Sequence, residues 1–266
     1  MSSKVLKIGQ ITDIHIGEDE NLVQGIDVRK NFLTALNSES MKDIDLLVLS
    51  GDLANENAEP GAYRYIAEQL KGVKCPVCII PGNHDSLDVM VKFFDMPVKN
   101  GKCYFRYDLE GKSMFFLDSA IGEVSRDQLD WLEEEVPKVD GEVILFMHHP
   151  PCFCGHKFMD LHYHLRNMVE VQQTLSKFKN LNHVYCGHYH SEHQMKFSHI
   201  HVHAAPPTQM QIDADRPYFK LKSTEPGWQV IYWGDSVKTE VHTSESRFVG
   251  DEGHILETDA VTDNLV

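Results

Sequence analysis

The 266-residue chain is short of positive charge: 25 lysines and arginines face 40 aspartates and glutamates, a formal charge of −15. Nucleic-acid binders need basic patches to displace counterions, so that class is excluded, and an anionic membrane surface is disfavoured with it. Long apolar runs are missing too. None reaches the roughly 18 residues needed to span a bilayer. The opening MSSKVLKIGQ has no signal-type hydrophobic stretch, so the expected location is the cytoplasm. Cysteine is sparse. Cys75 and Cys78 form a CxxC around Pro76 and Val77, but no second CxxC completes a structural zinc site. Cys152 and Cys154 flank Phe153, and all six cysteines read as reduced. No internal repeat or low-complexity linker interrupts the chain, which points to one α/β domain with irregular extensions.

What is abundant is histidine. Twelve of the 16 histidines fall between His148 and His203. The apolar pattern places buried strands at Val5–Ile11, Leu46–Ser50, Val77–Ile80, Val143–Met147 and Val184–Cys186, with strands also near Tyr104–Asp108 and Met114–Asp118. Helices are expected at Val28–Leu36, 61–71, Leu87–Phe94, 125–135 and Leu165–Phe178. Residues 200–205 and 227–233 alternate, as in a more exposed, antiparallel-leaning sheet. From Ser244 the chain turns acidic and poor in apolar residues, so a loosely held tail is expected.

The buried strands end in residues that bind metals. Asp13 and His15 follow the first, Asp52 the second, Asn83 the third, His148 the fourth, and His188 and His190 the fifth. Functional groups of α/β sheets collect at the carboxyl ends of strands. Each fragment alone also reads as a turn or helix cap; all five in this order converge on one rim. Carboxylate, imidazole and amide without thiolate suit Zn, Mn, Fe or Co. Seven ligands exceed what one tetrahedral ion needs, so two ions are implied, with Asp52 placed to bridge them. Two divalent ions with Asp13 and Asp52 would leave a centre of about +2 before hydroxide binds, able to hold phosphate on an acidic protein. Such a pair acidifies a shared water and neutralises phosphoryl oxygens, while an imidazole outside the ligand shell protonates the leaving alkoxide.

These blocks resemble the calcineurin-like metallophosphoesterases: Asp13-Ile14-His15, Gly51-Asp52, Gly82-Asn83-His84-Asp85, His148 and Gly187-His188-Tyr189-His190, intact and in order. MHHPP (147–151) and LDSAIGEVSRDQLDWLEEEV (117–136) are similar to the branch of class III cyclic-nucleotide phosphodiesterases and bacterial glycerophosphodiesterases. The resemblance implies a four-layer sandwich of two mixed β-sheets flanked by helices. It implies one ion on Asp13, His15, Asp52 and His190, and another on Asp52, Asn83, His148 and His188. His84 then binds phosphate and donates the proton.

His149 either enters the substrate pocket or packs beneath its loop. His156, His162 and His164 either contact substrate or belong to a solvated loop or cap helix. His201 and His203 share one strand face and either line an approach to the site or, the favoured reading, are satisfied surface or interface histidines. The expected organisation is a catalytic domain over 1–243, with cap-like insertions around 152–167 and 205–228, and a tail over 244–266. The expected activity is hydrolysis of small phosphodiesters by a metal-bridging hydroxide, oriented by Asp13 and Asp52. A phosphomonoesterase or nucleotide pyrophosphatase on the same core, or a non-catalytic scaffold, are the alternatives. The expected partner is the small phosphodiester, with a homodimer or higher oligomer admitted.

Overall fold

In the computed structural model, which describes residues 4–56 and 59–244, the apolar segment at the start forms β1 (Leu6–Ile11), buried at all but one position. Helix α1 (Val28–Leu36) is capped by Asp27, whose carboxylate accepts from Lys30 N at 2.9 Å. Its buried residues Val28, Asn31, Phe32 and Ala35 recur at helical spacing. β2 (Leu46–Ser50), α2 (Pro60–Leu70), β3 (Val77–Ile80) and the one-turn α3 (Leu87–Met90) continue the alternation. Short strands β4 (Val98–Lys99) and β5 (Lys102–Cys103) precede the antiparallel pair β6 (Phe105–Leu109) and β7 (Lys112–Leu117). Then come α4 (Arg126–Glu135), β8 (Val143–Met147), α5 (Lys157–His162), α6 (Met168–Leu175) and β9 (Leu181–Cys186). The described chain closes with β10 (His193–Phe197), β11 (Ile200–Ala204), β12 (Gln211–Ile212), β13 (Leu221–Ser223), β14 (Gly227–Trp233) and β15 (Val237–Thr243).

Two mixed sheets result. The first has the order β15-β14-β1-β2-β3, with β1, β2 and β3 parallel and β14 antiparallel to β1. The second has the order β10-β11-β9-β8-β7-β6, parallel across β11, β9, β8 and β7, with antiparallel edges. Strand alternation sorts the core into layers. Met114, Phe116, Ile144, Phe146 and Tyr185 pack in one cluster with residues of the first sheet. Phe115, Leu117, Leu145 and Met147, on the opposite face, pack with Leu129 and Leu132 of α4 and Val171 and Leu175 of α6. Phe32 of α1 and Tyr63 and Ile66 of α2 join the first cluster. This is the four-layer arrangement of helices, sheet, sheet and helices.

Three expectations need correction. β11 and β14 are not part of a more exposed sheet. β11 lies between β9 and β10, and β14 between β1 and β15, so only His201 in the one and Tyr232 in the other escape burial. The helix expected over Leu87–Phe94 ends at Met90, where turns lay Phe93 and Phe94 against Tyr63. The helix expected over Leu165–Phe178 contracts to α6, and α5 forms in the histidine-rich stretch before it. Of the expected tail, 245–266 lies outside the described residues. Among the described residues no helix is long and apolar enough to cross a membrane, and all six cysteines are unpaired.

Candidate metal centre

The ligand candidates come from both sheets. Asp13 and His15 follow β1, Asp52 follows β2 and Asn83 follows β3, all in the first sheet; His148 follows β8, and His188 and His190 follow β9, in the second. Asp13, His15, Asp52, His188 and His190 all have φ between 47° and 69°, a left-handed conformation that non-glycine residues seldom adopt. Glycines permit the close approach. At Gly51, with φ of 105°, a Cβ would collide with the His148 ring, and at Gly82 it would collide with the Asp52 carboxylate.

Ligand atoms of Asp13, His15, Asp52 and His190 lie within 4.8 Å of one another. His15 Nε2 and His190 Nε2 are 3.1 Å apart, and His190 Nε2 is 3.5 Å from Asp13 Oδ1. A second group, His148, His149 and His188, meets the same limit. Asp52 Oδ2 joins the two, 3.7 Å from His15 Nε2 and 3.1 Å from His148 Nε2. The structure therefore brings Asp52 between the two groups.

One pattern escaped sequence reading. Each of four imidazoles is held through one ring nitrogen by a backbone carbonyl. His148 Nδ1 lies 2.9 Å from Ser50 O, His188 Nε2 2.8 Å from Tyr163 O, His190 Nδ1 2.9 Å from Met210 O and His84 Nδ1 2.7 Å from Asn55 O. Such contacts fix ring orientation and turn the remaining nitrogen inward, as metal-binding histidines require. No letter in the sequence marks a carbonyl. Asp85, which from the sequence orients its loop or the His84 imidazole or simply caps the turn, serves the loop: its carboxylate accepts from Leu53 N, Ala54 N, Gly82 N and the Tyr63 hydroxyl. It ties the loop after β2 to the loop after β3, and the His84 imidazole is held by Asn55 instead.

The electrostatics fit a cation. Asp13 and Asp52 are buried, and among the described residues their ion-pair partners are histidines. Burial raises Asp13. Burial also acts to raise Asp52, but the charges of His148 and His84 outweigh it and hold Asp52 well below the usual carboxylate range. Burial drives His15 and His149 well down and His188 down to about 3, leaving neutral imidazoles with free lone pairs. His148 is opposed by burial yet raised to about 9 by Asp52, so a proton there supplies countercharge that metal binding would displace. Burial, then Asp52, push Asp85 up to about 6 against its N–H donors.

The fit to metal is also visible in what lacks a protein partner. Asn83 Oδ1 and Nδ2, His84 Nε2 and His15 Nδ1 are buried without a hydrogen bond from protein. An unmet buried polar atom costs about 1–3 kcal/mol, so a cluster of them marks a place built for a bound group. His149 is 3% exposed, its ring 4.0 Å from that of His188 and its Nδ1 3.0 Å from Ser119 Oγ. His156 is buried as the N-cap of α5, His162 ends that helix, and the His164 ring lies 5.4 Å from Phe153. His201 and His203 lie on β11 opposite His183 and Tyr185 of β9, away from the centre.

Known proteins share this design. The family model described as Calcineurin-like phosphoesterase matches residues 6–192. A probable cyclic nucleotide phosphodiesterase of Fibrobacter succinogenes is 62% identical over 92% of this chain and 97% of its own. The 3′,5′-cyclic adenosine monophosphate phosphodiesterase CpdA of Haemophilus influenzae is 30% identical over 89% of each chain. Among solved structures, the purple acid phosphatase PPD1 of yellow lupin superposes with a TM-score of 0.71 at 16% identity, over 91% of this chain and 52% of its own, a likeness of fold. With its motifs, two-sheet sandwich and Asp/His centre, the chain belongs to the calcineurin-like phosphoesterases, in the branch that contains the class III phosphodiesterases.

Proposed function

We propose that the protein hydrolyses small phosphodiesters of the cyclic-nucleotide or glycerophosphodiester type at a two-ion centre. Asp13, His15, Asp52 and His190 would hold one ion, and Asp52, Asn83, His148 and His188 the other, drawn from Fe, Mn, Zn or Co. When bound, such ions acidify a shared water and neutralise charge on the phosphoryl oxygens. Asp13 and Asp52 orient the attacking water, and His84 hands a proton from Nε2 to the departing alkoxide while Nδ1–H stays on the Asn55 carbonyl. The observation that carries this reading is the buried, unpartnered His84 Nε2 beside the Asp/His cluster, its ring 4.7 Å from that of His15. His149, neutral and packed on His188, would meet substrate through Nε2.

A cleft of about 450 Å³ opens beside Asn55, lined by Glu18, Asp19, Glu56 and Glu59 and, among the described residues, by no lysine or arginine. A leaving group directed into it would be repelled if it carried further phosphates, which would favour diesters with an uncharged alcohol over nucleotide pyrophosphates. The test is a panel in manganese: cyclic AMP, bis-nitrophenyl phosphate, glycerophosphodiesters and nitrophenyl phosphate. A diester should be the best substrate, and strong preference for the monoester would overturn the assignment. His84→Ala should keep its metals and lose about 10²–10⁴-fold in kcat on diesters with poor leaving groups. A scaffold would lose nothing.

A further inference from the structure

The seven proposed ligands divide four to three between the two sheets, so the centre is complete only when the sheets sit at one spacing and one register. Apolar packing presses sheets together but has no direction. Metal sites need ligand distances held to within about 0.2 Å. Directional contacts between the sheets must therefore supply the precision.

Such contacts run just beneath the ligands. Gln10 of β1 is fully buried, as is Ser50, and Gln229 of β14 is 1% exposed. Gln10 Nε2 donates to Ser50 Oγ at 2.7 Å, and across the interface to the Cys186 carbonyl of β9 at 3.2 Å. Gln229, its register partner, donates from Nε2 to Gln10 Oε1 at 2.5 Å and fixes which way the Gln10 amide points. Both anchor points lead to ligands. The Ser50 carbonyl holds His148 Nδ1 at 2.9 Å, and Asp52 is two residues on. Cys186 immediately precedes Gly187, whose N–H donates to the His148 carbonyl at 3.0 Å, and His188 follows.

A glutamine pair is an expensive choice for a core that leucine or methionine would fill. Replacing both partners of a buried hydrogen bond by apolar groups of similar shape is close to neutral in stability. We infer that the Gln10–Gln229 amide pair is a positioning element, locking the two halves of the ligand set at binding distance, so that its loss costs metal affinity in addition to the stability of the bonds removed. The inference rests on the two-ion reading of the centre.

The experiment compares chelator-stripped wild type with Gln10→Met/Gln229→Met, whose side chains match glutamine in length. Manganese binding is followed by titration calorimetry and unfolding of the metal-free proteins by thermal melts. The double variant also leaves the buried Ser50 hydroxyl without its donor, so it should melt lower than wild type, and it should bind at least one ion tenfold or more weakly. Gln229→Met alone, which keeps the bonds from Gln10 to Ser50 and Cys186 but frees the Gln10 amide to turn, should show an intermediate loss. Unchanged metal affinity overturns the inference, whatever happens to the melting temperature. Should the double variant not fold, Ser50→Ala removes only the hydroxyl that Gln10 holds; several-fold weaker manganese binding supports the inference and unchanged binding overturns it. A wild type that binds manganese but cleaves no phosphodiester would sink the proposed function and leave this inference standing. A wild type that binds no divalent ion would end both.

Discussion

At the scale of single residues, the Gly82–Asp85 turn shows how four neighbours divide one task. Asn83 and His84 present unpartnered buried atoms, while Gly82 permits the approach of Asp52. Asp85 works in the opposite direction, with both oxygens consumed by three backbone N–H groups and the Tyr63 hydroxyl. Asp85→Asn keeps the shape but turns an NH2 towards a donor. The expected cost is about 2–4 kcal/mol, read as a fall of roughly 5–15 °C in melting temperature, with kcat falling because His84 follows the loop. An unaltered melting temperature would mean that this carboxylate does not tie the loops. The turn advertises its chemistry in letters. A loop-orienting role for Asp85 was open there, but not which loop it reaches, since Leu53 N and Ala54 N lie 32 and 31 residues away.

At the scale of elements, the parallel strands were legible because continuous apolar runs ending in polar residues have few other readings. β10 and β15 were not, because HQMKF and VKTEVHT gain their strand character from the neighbours they pair with. The alternation in β11 was seen but its setting was not. His203 extends an aromatic stack across the second sheet, from Phe105 through Phe116, Phe146 and Tyr185, with Tyr185 and His203 4.8 Å apart. Its Nε2 is 3.0 Å from His183 Nδ1, and its neighbours include His201 on β11, Gln194 and Lys196 on β10, and Thr239 on β15 bonded to Tyr185. Burial, then His183 and His201, push His203 down to about 4. The folded protein keeps this ring neutral while the unfolded chain takes a proton below about 6.5, so stability is lost as pH falls from there towards 4. Between pH 7 and 4.5 the loss from this group is about 2–3 kcal/mol. His203→Phe, which keeps the stack, should lose that much less than wild type in paired melts at the two pH values. Equal losses would show that His203 is not the acid-sensitive group.

At the scale of the whole molecule, two sheets meet at a rim where two buried carboxylates face histidines and no lysine or arginine among the described residues. The fold class was legible because five strand-end motifs in fixed order admit few architectures; the division of the ligands between two sheets was not, since sheet membership is decided by pairing. That division makes the metal part of the tertiary structure. In metal-free protein, repulsion between Asp13 and Asp52 and the unmet atoms of Asn83 act against closure of the rim. Divalent ions bind the folded state, so they stabilise it by about 2.7 kcal/mol at a hundred times Kd. For a chain of this size that is roughly 5–11 °C in melting temperature. Chelator-treated protein should melt that much lower, and added manganese should restore it in a concentration-dependent way. Asp52→Asn leaves the His148 proton without its carboxylate partner, so it should melt below wild type when both are metal-free, and it should gain little from manganese. A melting temperature indifferent to chelator in wild type would mean that the sheets close without the ions.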